Sequence, residues 1–310
     1  MSVVEVRPFH RTDRDQVTAL VNAHAAAVVP GVAASVNAVL TQFEREPDEV
    51  VVDPWTAERH VLVAEQDGGI AAAALLCRYR DAPDVGSAFR NAGDIRWLVF
   101  RPMAPAGNPH WQDGQAAARL LMGACLARLR SWGVARITAD GALPVPGVYG
   151  VPRQWPHIEQ LYTETGFLVP AQPVEVVHLA DLTQIPGPAA PPLPGLVVRR
   201  SVGINGTRFT ASSRTQDVGH IEVAVLDSAD RHPRQSGLAD IGDLYVVEDH
   251  RRLGIGGWLV AHAACWLRLA HVDRLLHYAD EGEEALLSFV EHLGFVEVTR
   301  TRRGWELVTP

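Results

Sequence analysis

The chain has 310 residues, a formal net charge of −8 and 47% hydrophobic residues. This length fits two domains of about 150 residues each, and the acidic charge argues against nucleic acid as the main partner. No run approaches the ~18 apolar residues of a membrane span, and the N-terminus lacks the basic start and apolar block of a secretory signal, so we expect a cytoplasmic protein.

Strand and helix patterns alternate along the first half. An extended strand precedes a helix with a Thr or Asp cap, and a second helix leads into a hairpin with Asp67-Gly68-Gly69 at its turn. A strand, a long amphipathic helix that ends at a glycine, a strand, a helix and closing strands follow. The predicted ranges are 3–9, 12–28, 34–46, 60–79, 93–100, 114–133, 135–140, 155–166 and 167–182.

A proline-rich stretch at 185–195 separates the two halves. Proline cannot donate ladder hydrogen bonds and stiffens a chain, so the stretch predicts an interdomain linker. The second half lacks room for the two early helices of the first half. Its predicted hairpin around Asn205-Gly206, strands, helices and final hairpin lie at 196–213, 218–226, 239–247, 257–271, 274–279, 283–294 and 295–308. We therefore predict domains at 1–181 and 196–310, joined by a linker at 182–195.

The two halves contain an internal repeat. Residues 94, 95 and 98 in GDIRWLVF match residues 240, 241 and 244 in ADIGDLYVV, and Gly114 matches Gly254. The following helices agree at positions 124, 125, 128 and 129 against 264, 265, 268 and 269, and ETGF matches HLGF further on. Because the order is the same in both halves, we predict two copies of one fold.

The stretch from Arg251 to Gly257 follows a predicted strand and enters a helix. The first N–H groups of a helix have no partner within it, and the helix dipole favours negative charge there. Glycines at 254, 256 and 257 lack the Cβ atoms that would keep a pyrophosphate away, while Arg251 and Arg252 add positive charge. The pattern predicts an anion site, with a plain tight turn as the alternative.

Residues 251–256, RRLGIG, fit the R/Q-x-x-G-x-G/A signature, and the sequence thereby resembles the GNAT superfamily of acyl-CoA-dependent N-acyltransferases. The resemblance implies an α/β (α+β) protein of two tandem GNAT folds, each a mixed, mostly antiparallel twisted sheet flanked by helices, that form a pseudo-dimer. The layout is similar to that of mycothiol synthase, whose active site lies in its second half. By this resemblance the loop holds the pyrophosphate of coenzyme A, and the splayed strand before it pairs with pantetheine and the acyl carbonyl. The cofactor-binding residues it implies are Leu244, Tyr245, Val246, Arg251, Arg252, Leu253, Gly254, Ile255, Gly256 and Gly257.

The first copy departs from this signature at residues 111–116, WQDGQA. Gly114 and Ala116 are kept, but Trp111 replaces Arg or Gln, and Asp113 would repel a phosphate. The stretch at 102–110 before it resembles an insertion. We expect this half to bind acyl-CoA poorly or not at all and to brace the other half.

Acyl transfer from a thioester to an amine needs a base for the ammonium and an acid for the thiolate. The resemblance places the base at Asp240, eleven residues before Arg251, with Asp243 as the second candidate. Because the two are three residues apart on a strand, we expect them to point to opposite faces. The family's acid is a Tyr four residues before the closing Gly-Phe, which is Tyr162 in the first copy but Val290 in the second. Possible substitutes are Ser288, Tyr278 and His292.

We therefore expect an N-acetyltransferase that moves an acetyl group from acetyl-CoA to a primary amine of a small molecule, with the second half catalytic. The alternatives are a non-catalytic acyl-CoA sensor, an acyltransferase that uses a longer chain or an oxygen acceptor, and a pseudo-dimer without a ligand. We expect no metal, because the 13 histidines form no HxxH or HExxH pair. We also expect no membrane or nucleic-acid partner, and a monomer (itself a pseudo-dimer) or a homodimer.

Overall fold

The computed structural model describes residues 3–44, 55–102, 113–169, 172–214, 216–226 and 237–307. The chain divides into two compact units. The first comprises Met1–Val174 and Arg300–Pro310, and the second comprises Glu175–Thr299. Each unit contains a mixed, mostly antiparallel sheet with helices, so the predicted fold class is confirmed.

The first unit has a seven-stranded sheet in the order β1-β2-β3-β4-β5-β15-β7. Only the β4–β5 pair is parallel among the ladders described for it. The strands of the first unit are β1 Val4–Pro8, β2 Thr56–Gln66, β3 Gly69–Tyr79, β4 Ala92–Phe100, β5 Arg136–Ala139, β7 Phe167–Leu168 and β15 Trp305–Leu307, and β6 Val151–Pro152 lies outside this sheet. Its helices are α1 Arg14–Val28, α2 Val36–Phe43, α3 Gln115–Ser131 and α4 Pro156–Thr165.

The second unit has strands in the order β14-β8-β13-β12-β11-β10-β9. The last residues of β14 belong with the first unit, where Thr301 lies opposite Pro152 of β6. The strands are β8 Glu175–Asp181, β9 Val197–Val202, β10 Thr207–Ser212, β11 Asp217–Val225, β12 Gly237–Val246, β13 Val272–Asp280 and β14 Val296–Arg302, and the helices are α5 Ile255–Leu269 and α6 Glu284–His292.

The compact units divide the chain differently from the predicted domains. Strand β8, placed by sequence in the first domain, pairs along its whole length with β13 of the second unit. Strand β15, from the end of the chain, pairs with β5 and β7 of the first unit. Trp305 and Leu307 are buried there, so the strand contributes to the first unit's core. Sequence order alone assigns β8 to the first half and β15 to the second. Backbone hydrogen bonding to distant strands places each of them in the other unit.

The repeat is visible in the backbone. In both units one strand pairs in parallel with its neighbour for four residues, 92–95 of β4 with β5 and 237–240 of β12 with β13. In both units the antiparallel ladder on the other side then contains one extra residue, Arg96 in β4 and Gly242 in β12. The two copies thus share the splay and the bulge as well as the order of elements.

The predicted linker packs along helix α5. Leu182, Ile185 and Leu196 belong to the core of the second unit, and Arg268 near the end of α5 donates to the carbonyls of Leu182 and Ile185 at 2.8 and 2.7 Å. Near the start of α5 the indole of Trp258 donates to the carbonyl of Ala189 at 3.1 Å. The apolar side chains of α5 therefore have the sheet on one side and this segment on another, which explains why the helix is hydrophobic around most of its circumference.

Candidate active site

Strand β12 separates from β13 partway along its length. The parallel ladder runs only from Gly237 opposite Val272 to Asp240 opposite Leu276, whereas the ladder between β11 and β12 continues to Val246. Beyond Asp240 the backbone groups of β12 on the β13 side have no ladder partner among the described residues. The structure thus has the expected splay, and its exposed strand edge can pair with an amide-bearing ligand.

A bulge at Gly242 sets the direction of the two candidate carboxylates. Asp243 lies opposite Glu222, and Asp240 lies opposite Ala224, two residues further along β11. Three residues of β12 therefore span two of β11, and Asp240 and Asp243 share one face of the sheet. The expected opposite orientation is wrong, because counting along the strand does not reveal the extra residue.

The bulge needs a residue without a side chain. A Cβ atom at Gly242 would lie 2.9 Å from Cβ of Asn205 in the β9–β10 turn. That turn is in turn fixed by the buried carboxylate of Glu222, which accepts the backbone N–H of Asn205 at 3.0 Å. The predicted hairpin around Asn205-Gly206 is therefore part of the site's surroundings.

The loop between β12 and α5 presents an open helix N-terminus. Arg252 has φ 59° and Gly254 has φ 83°, and α5 begins at Ile255. Glycine adopts this conformation at little cost, whereas for Arg252 it is strained, as is common at ligand-binding loops. Within the described part of the chain no side chain caps α5, and its first turn carries no acidic residue. Its first N–H groups are thus available to an anion.

A cavity of about 560 Å³ lies between this loop, the free edge of β12 and helix α6. It brings together nine of the ten residues predicted to bind the cofactor, and only Leu253 is outside it. The lining residues are Leu244, Tyr245, Val246, His250, Arg251, Arg252, Gly254, Ile255, Gly256, Gly257, Glu283, Ala285, Leu286 and Phe289.

The wall supplied by α6 was not predicted from the sequence. Its apolar spacing predicted a helix but gave no sign of where the helix packs. The contact that places it involves Gly256, where a Cβ atom would lie 3.1 Å from the ring of Phe289. Gly256 therefore allows α6 to approach α5, in addition to leaving room for a ligand.

The charges around the cavity suit a pyrophosphate. Arg251 and Arg252 line it, and Glu283 is the one carboxylate among its described lining residues. Arg251 is held in place, because its Nε donates to the carbonyl of Val246 at 3.0 Å and its guanidinium lies 6.0 Å from the ring centroid of Tyr245. Open N–H groups, two arginines and a free strand edge fit the pyrophosphate and pantetheine parts of coenzyme A.

The two carboxylates of β12 have different surroundings. Asp240 is half-buried, and burial raises its pKa above the ordinary value, although hydrogen bonds from the backbone N–H groups of Asp240 and Ala224 act in the opposite direction. A raised pKa makes a carboxylate a better proton acceptor near neutral pH. The side chain of Asp243 is 44% exposed, and its Oδ2 lies 2.6 Å from Nε2 of His220.

The position of the expected general acid differs between the units. Val290 is buried in the core of the second unit. Tyr162 is buried in the first unit, where burial raises its pKa well above the ordinary value and its hydroxyl donates to the backbone carbonyl of Asp140 at 2.8 Å. Tyr162 and Asp240 therefore lie in different units. Of the substitutes, Ser288 and His292 are exposed and Tyr278 is half-buried.

At the start of α3 in the first unit, the described residues 113 and 114 are engaged in contacts within the protein. A Cβ atom at Gly114 would lie 2.8 Å from the carbonyl oxygen of Arg101, so this glycine serves backbone packing. The carboxylate of Asp113 accepts the N–H of Gln115 at 2.9 Å and so occupies the place an anion would take. Trp111 and Gln112, and all but the first residue of the predicted insertion at 102–110, lie outside the described residues.

Comparisons with known proteins identify a domain match and a shared fold. Residues 205–297 match the family model described as "Acetyltransferase (GNAT) domain". A tandem GNAT protein from the clavulanic acid biosynthesis pathway has 17% identity and a TM-score of 0.61 over 99% of this chain and 100% of its own. A GCN5-related N-acetyltransferase from Sphaerobacter thermophilus has 15% identity and a TM-score of 0.60 over 99% and 96% of the two chains.

A third structure, a GCN5-related glucosamine N-acetyltransferase region of a fungal multi-domain GH3 β-N-acetylglucosaminidase, has 16% identity and a TM-score of 0.61. The alignment covers 98% of this chain and 38% of that one. The comparison with curated proteins finds no match. Among the described residues, no helix has the length and apolarity to cross a membrane, and no cluster of three His, Cys, Asp or Glu side chains could hold a metal ion. Residues 205–297 therefore match the model of a GNAT acetyltransferase domain, and the whole chain has the fold seen in tandem GNAT proteins of known structure.

Proposed function

We propose that the protein is an acyl-CoA-dependent N-acyltransferase that moves an acetyl group from acetyl-CoA to a primary amine of a small molecule. The second unit is the catalytic one. The observation that carries this proposal is the combination, within one unit, of an uncapped helix N-terminus, two arginines and a splayed strand edge around one cavity of about 560 Å³.

Each part of this site has a separate task. The loop residues 251–257 hold the pyrophosphate through backbone N–H groups and arginine charge. The free edge of β12 at Leu244, Tyr245 and Val246 orients the chain that carries the acyl group, which is supplied as a thioester. Asp240 takes the proton of the incoming ammonium, directly or through water, and its half-buried position keeps its pKa raised for that task.

Two carboxylates on the same face as the free edge favour a cationic acceptor. Asp240 and Asp243 attract an ammonium group. Asp243 directly precedes Leu244 on the strand edge along which the acyl chain would run. A neutral alcohol gains less from this charge. The acceptor is therefore proposed to be an amine, in a protein that acts as a monomer or homodimer.

The proposal is tested with purified protein, acetyl-CoA and a broad panel of small amines. Release of free thiol and the acetylated product are followed together, by a thiol reagent and by mass spectrometry. We expect product formation with at least one amine and only slow thiol release without an amine. If acetyl-CoA binds in calorimetry and no amine is acetylated at any pH between about 6 and 9, the proposal is wrong.

One observation favours a second candidate function, a non-catalytic acyl-CoA sensor. Val290 occupies the position of the family's acid and lies in the core of the second unit. A sensor would bind acyl-CoA tightly and turn over no acceptor, so the same experiment separates the two functions. Mass spectrometry of the ligand that copurifies with the protein would show whether the acyl chain is longer than acetyl.

A further inference from the structure

A set of polar side chains lies beside the strand edge on the face that carries Asp240. His220 of β11 is opposite Tyr245 of β12, and Glu222 of β11 is opposite both Asp243 of β12 and Arg208 of β10, so all five point to this face. The opposite face of the same strands is apolar and packs against α5. The polar face is therefore the side from which an acceptor can approach β12.

His220 and Asp243 form a close pair within this set. Nε2 of His220 lies 2.6 Å from Oδ2 of Asp243. Because a carboxylate only accepts hydrogen bonds, Nε2 carries the hydrogen, and in the neutral form of the imidazole Nδ1 then has the free lone pair. Nδ1 has no hydrogen-bond partner in the part of the chain that the structure describes. The side chain of His220 is 18% exposed, which leaves it within reach of a bound molecule.

An ion pair with a buried carboxylate fixes the surroundings of this histidine. Glu222 is only 1% exposed, and its carboxylate accepts from Nε of Arg208 at 2.5 Å. The same arginine comes within 3.9 Å of Asp243. A buried carboxylate is costly unless it is fully paired, so a network of this kind fixes one geometry. Here it holds Arg208 close to Asp243, on the strand next to His220.

The histidine also lies next to the cavity. Tyr245 lines the cavity, and its ring centroid is 5.7 Å from that of His220. The imidazole is therefore one side chain away from the wall along which the acyl chain would run. Asp240, by contrast, lies four residues along β11 from it by register, opposite Ala224. Asp240 and His220 therefore occupy separate positions on this face of the sheet.

An acceptor that arrives as an ammonium loses two protons, one before it attacks and one as its nitrogen bonds to the acyl carbon. On the proposed function, Asp240 receives the first. We propose that Nδ1 of His220 receives the second and returns it to the sulfur of coenzyme A, with Asp243 as the positioning residue that sets the tautomer. The C–N bond forms, the C–S bond breaks, the thiolate becomes a thiol and His220 ends neutral. The transfer needs no acid at position 290, which is a valine.

The test compares His220→Gln, His220→Ala and Asp243→Asn with the unmodified protein on an amine it acetylates. We expect His220→Gln to lower kcat about 10²-fold and Asp243→Asn about tenfold, with little change in the KM or the calorimetric Kd for acetyl-CoA. Added imidazole should restore part of the kcat of His220→Ala, since it can enter the space left by the side chain. A purely structural role of His220 would not respond to imidazole.

His262→Gln is the matched control, because His262 lies on α5, which packs against the opposite face of the sheet. It should keep kcat within about twofold. The inference is overturned if His220→Gln retains kcat within about threefold, or if folded His220→Ala loses activity that imidazole does not restore. In both cases the unmodified enzyme still acetylates its amine, so the proposed function stands. If it acetylates no amine, the proposed function fails, and this inference fails with it.

Discussion

The N-termini of α3 and α5 occupy the same place in two copies of one fold and differ in what they can bind. At α5 the first N–H groups are uncapped, and Gly254 leads into them with φ 83°. At α3 the carboxylate of Asp113 accepts a first-turn N–H, and Gly114 is packed against the backbone of Arg101. The same glycine in a repeat therefore indicates the same backbone path, whereas the neighbouring charge decides whether an anion fits.

The acidic residues at the start of the two splays differ in the same way. Asp240 is half-buried beside an open strand edge. Asp94 is buried, accepts a hydrogen bond from Thr138 at 2.9 Å, and has its pKa raised to about 6 by burial and by the nearby charge of Asp140. The first unit has kept the carboxylate and closed its surroundings. We infer that it has become a structural copy of the second unit's site.

The largest expected effect comes from a variant that tests the assignment of β15 to the first unit. Trp305→Ala removes a fully buried side chain that pairs opposite Ala139 of β5. Such a truncation costs about 3–5 kcal/mol of unfolding free energy. Hydrogen exchange should show lost protection in β5 and unchanged protection in β13, although the mutated residue is near the end of the chain. Loss of protection in β13 alone would contradict the assignment of β15 to the first unit.

The second prediction contrasts the two splay carboxylates. Asp240→Asn should lower turnover about 10²-fold or more, because the amide cannot accept the acceptor's proton, and it should leave acetyl-CoA affinity nearly unchanged. The loss should shrink as pH rises, since more amine then arrives deprotonated. Asp94→Asn, the matched change in the first unit, should leave turnover unchanged. Equal losses in both variants would show that the first unit takes part in the chemistry.

The third prediction concerns two histidines with lowered pKa values, one in each unit. Burial lowers the pKa of His157 to about 3 and of His277 to about 4. The unfolded chain binds protons at these sites below pH 6.5, whereas the folded chain does not, so stability falls as pH falls from 6.5 towards these values. Each such histidine should cost about 2 kcal/mol between pH 7 and 5.

Asp94, with its raised pKa, acts in the opposite direction, so single variants are needed to isolate a histidine. Urea unfolding of His157→Gln at both pH values should show a loss smaller than that of the unmodified protein by about 2 kcal/mol. His10→Gln, at an exposed position, is the control. An identical pH dependence in His157→Gln and the unmodified protein would show that His157 is not held neutral.

The fourth prediction separates the two arginines of the loop. Arg252→Gly removes a charge at a position whose φ of 59° suits glycine, so acetyl-CoA affinity should fall about tenfold without loss of stability. Arg251→Ala also removes the hydrogen bond to Val246, so it should lower affinity and loosen the end of β12. Arg199→Ala, far along the sheet on β9, is the control. The three variants are compared by calorimetry and thermal unfolding. Unchanged acetyl-CoA affinity in both loop variants would refute the assignment.

The smallest expected effect is the absence of a gain at the first loop. Asp113→Gly frees the N-terminus of α3, but the packing of Gly114 against Arg101 remains. Acetyl-CoA stoichiometry should therefore stay the same as in the unmodified protein. If a second equivalent of acetyl-CoA binds to this variant, the carboxylate of Asp113 alone prevents binding at the N-terminus of α3, and the prediction is wrong.

Much of the architecture follows from local sequence. The apolar periodicity and the glycine and turn residues predicted the helices and hairpins, and the matches at positions 94 and 240 and at 114 and 254 predicted the repeat. The exchange of β8 and β15 was not predictable, because both strands carry ordinary strand patterns and their partners lie far away in sequence. The proline content of the segment at 182–195 predicts a spacer. It does not reveal that Leu182 and Ile185 pack on α5.

The residues that line the cavity were predictable where the backbone determines its shape. Nine of the ten expected cofactor residues line one cavity, because a signature of glycines and arginines before a helix determines its own geometry. The orientation of Asp243 was wrong, since a one-residue bulge has no mark in the sequence beyond Gly242. His220 was missed for a related reason, because its partner Asp243 is 23 residues away and meets it only through the register of β11 and β12.

A calorimetric titration of the intact protein with acetyl-CoA, followed by a crystal structure of the complex, tests the difference between the two units most directly. We expect one equivalent per chain, bound beside residues 251–257 with its pyrophosphate at the N-terminus of α5. Two equivalents per chain, or ligand density against Gly114 at the N-terminus of α3, would contradict the functional asymmetry of the two copies.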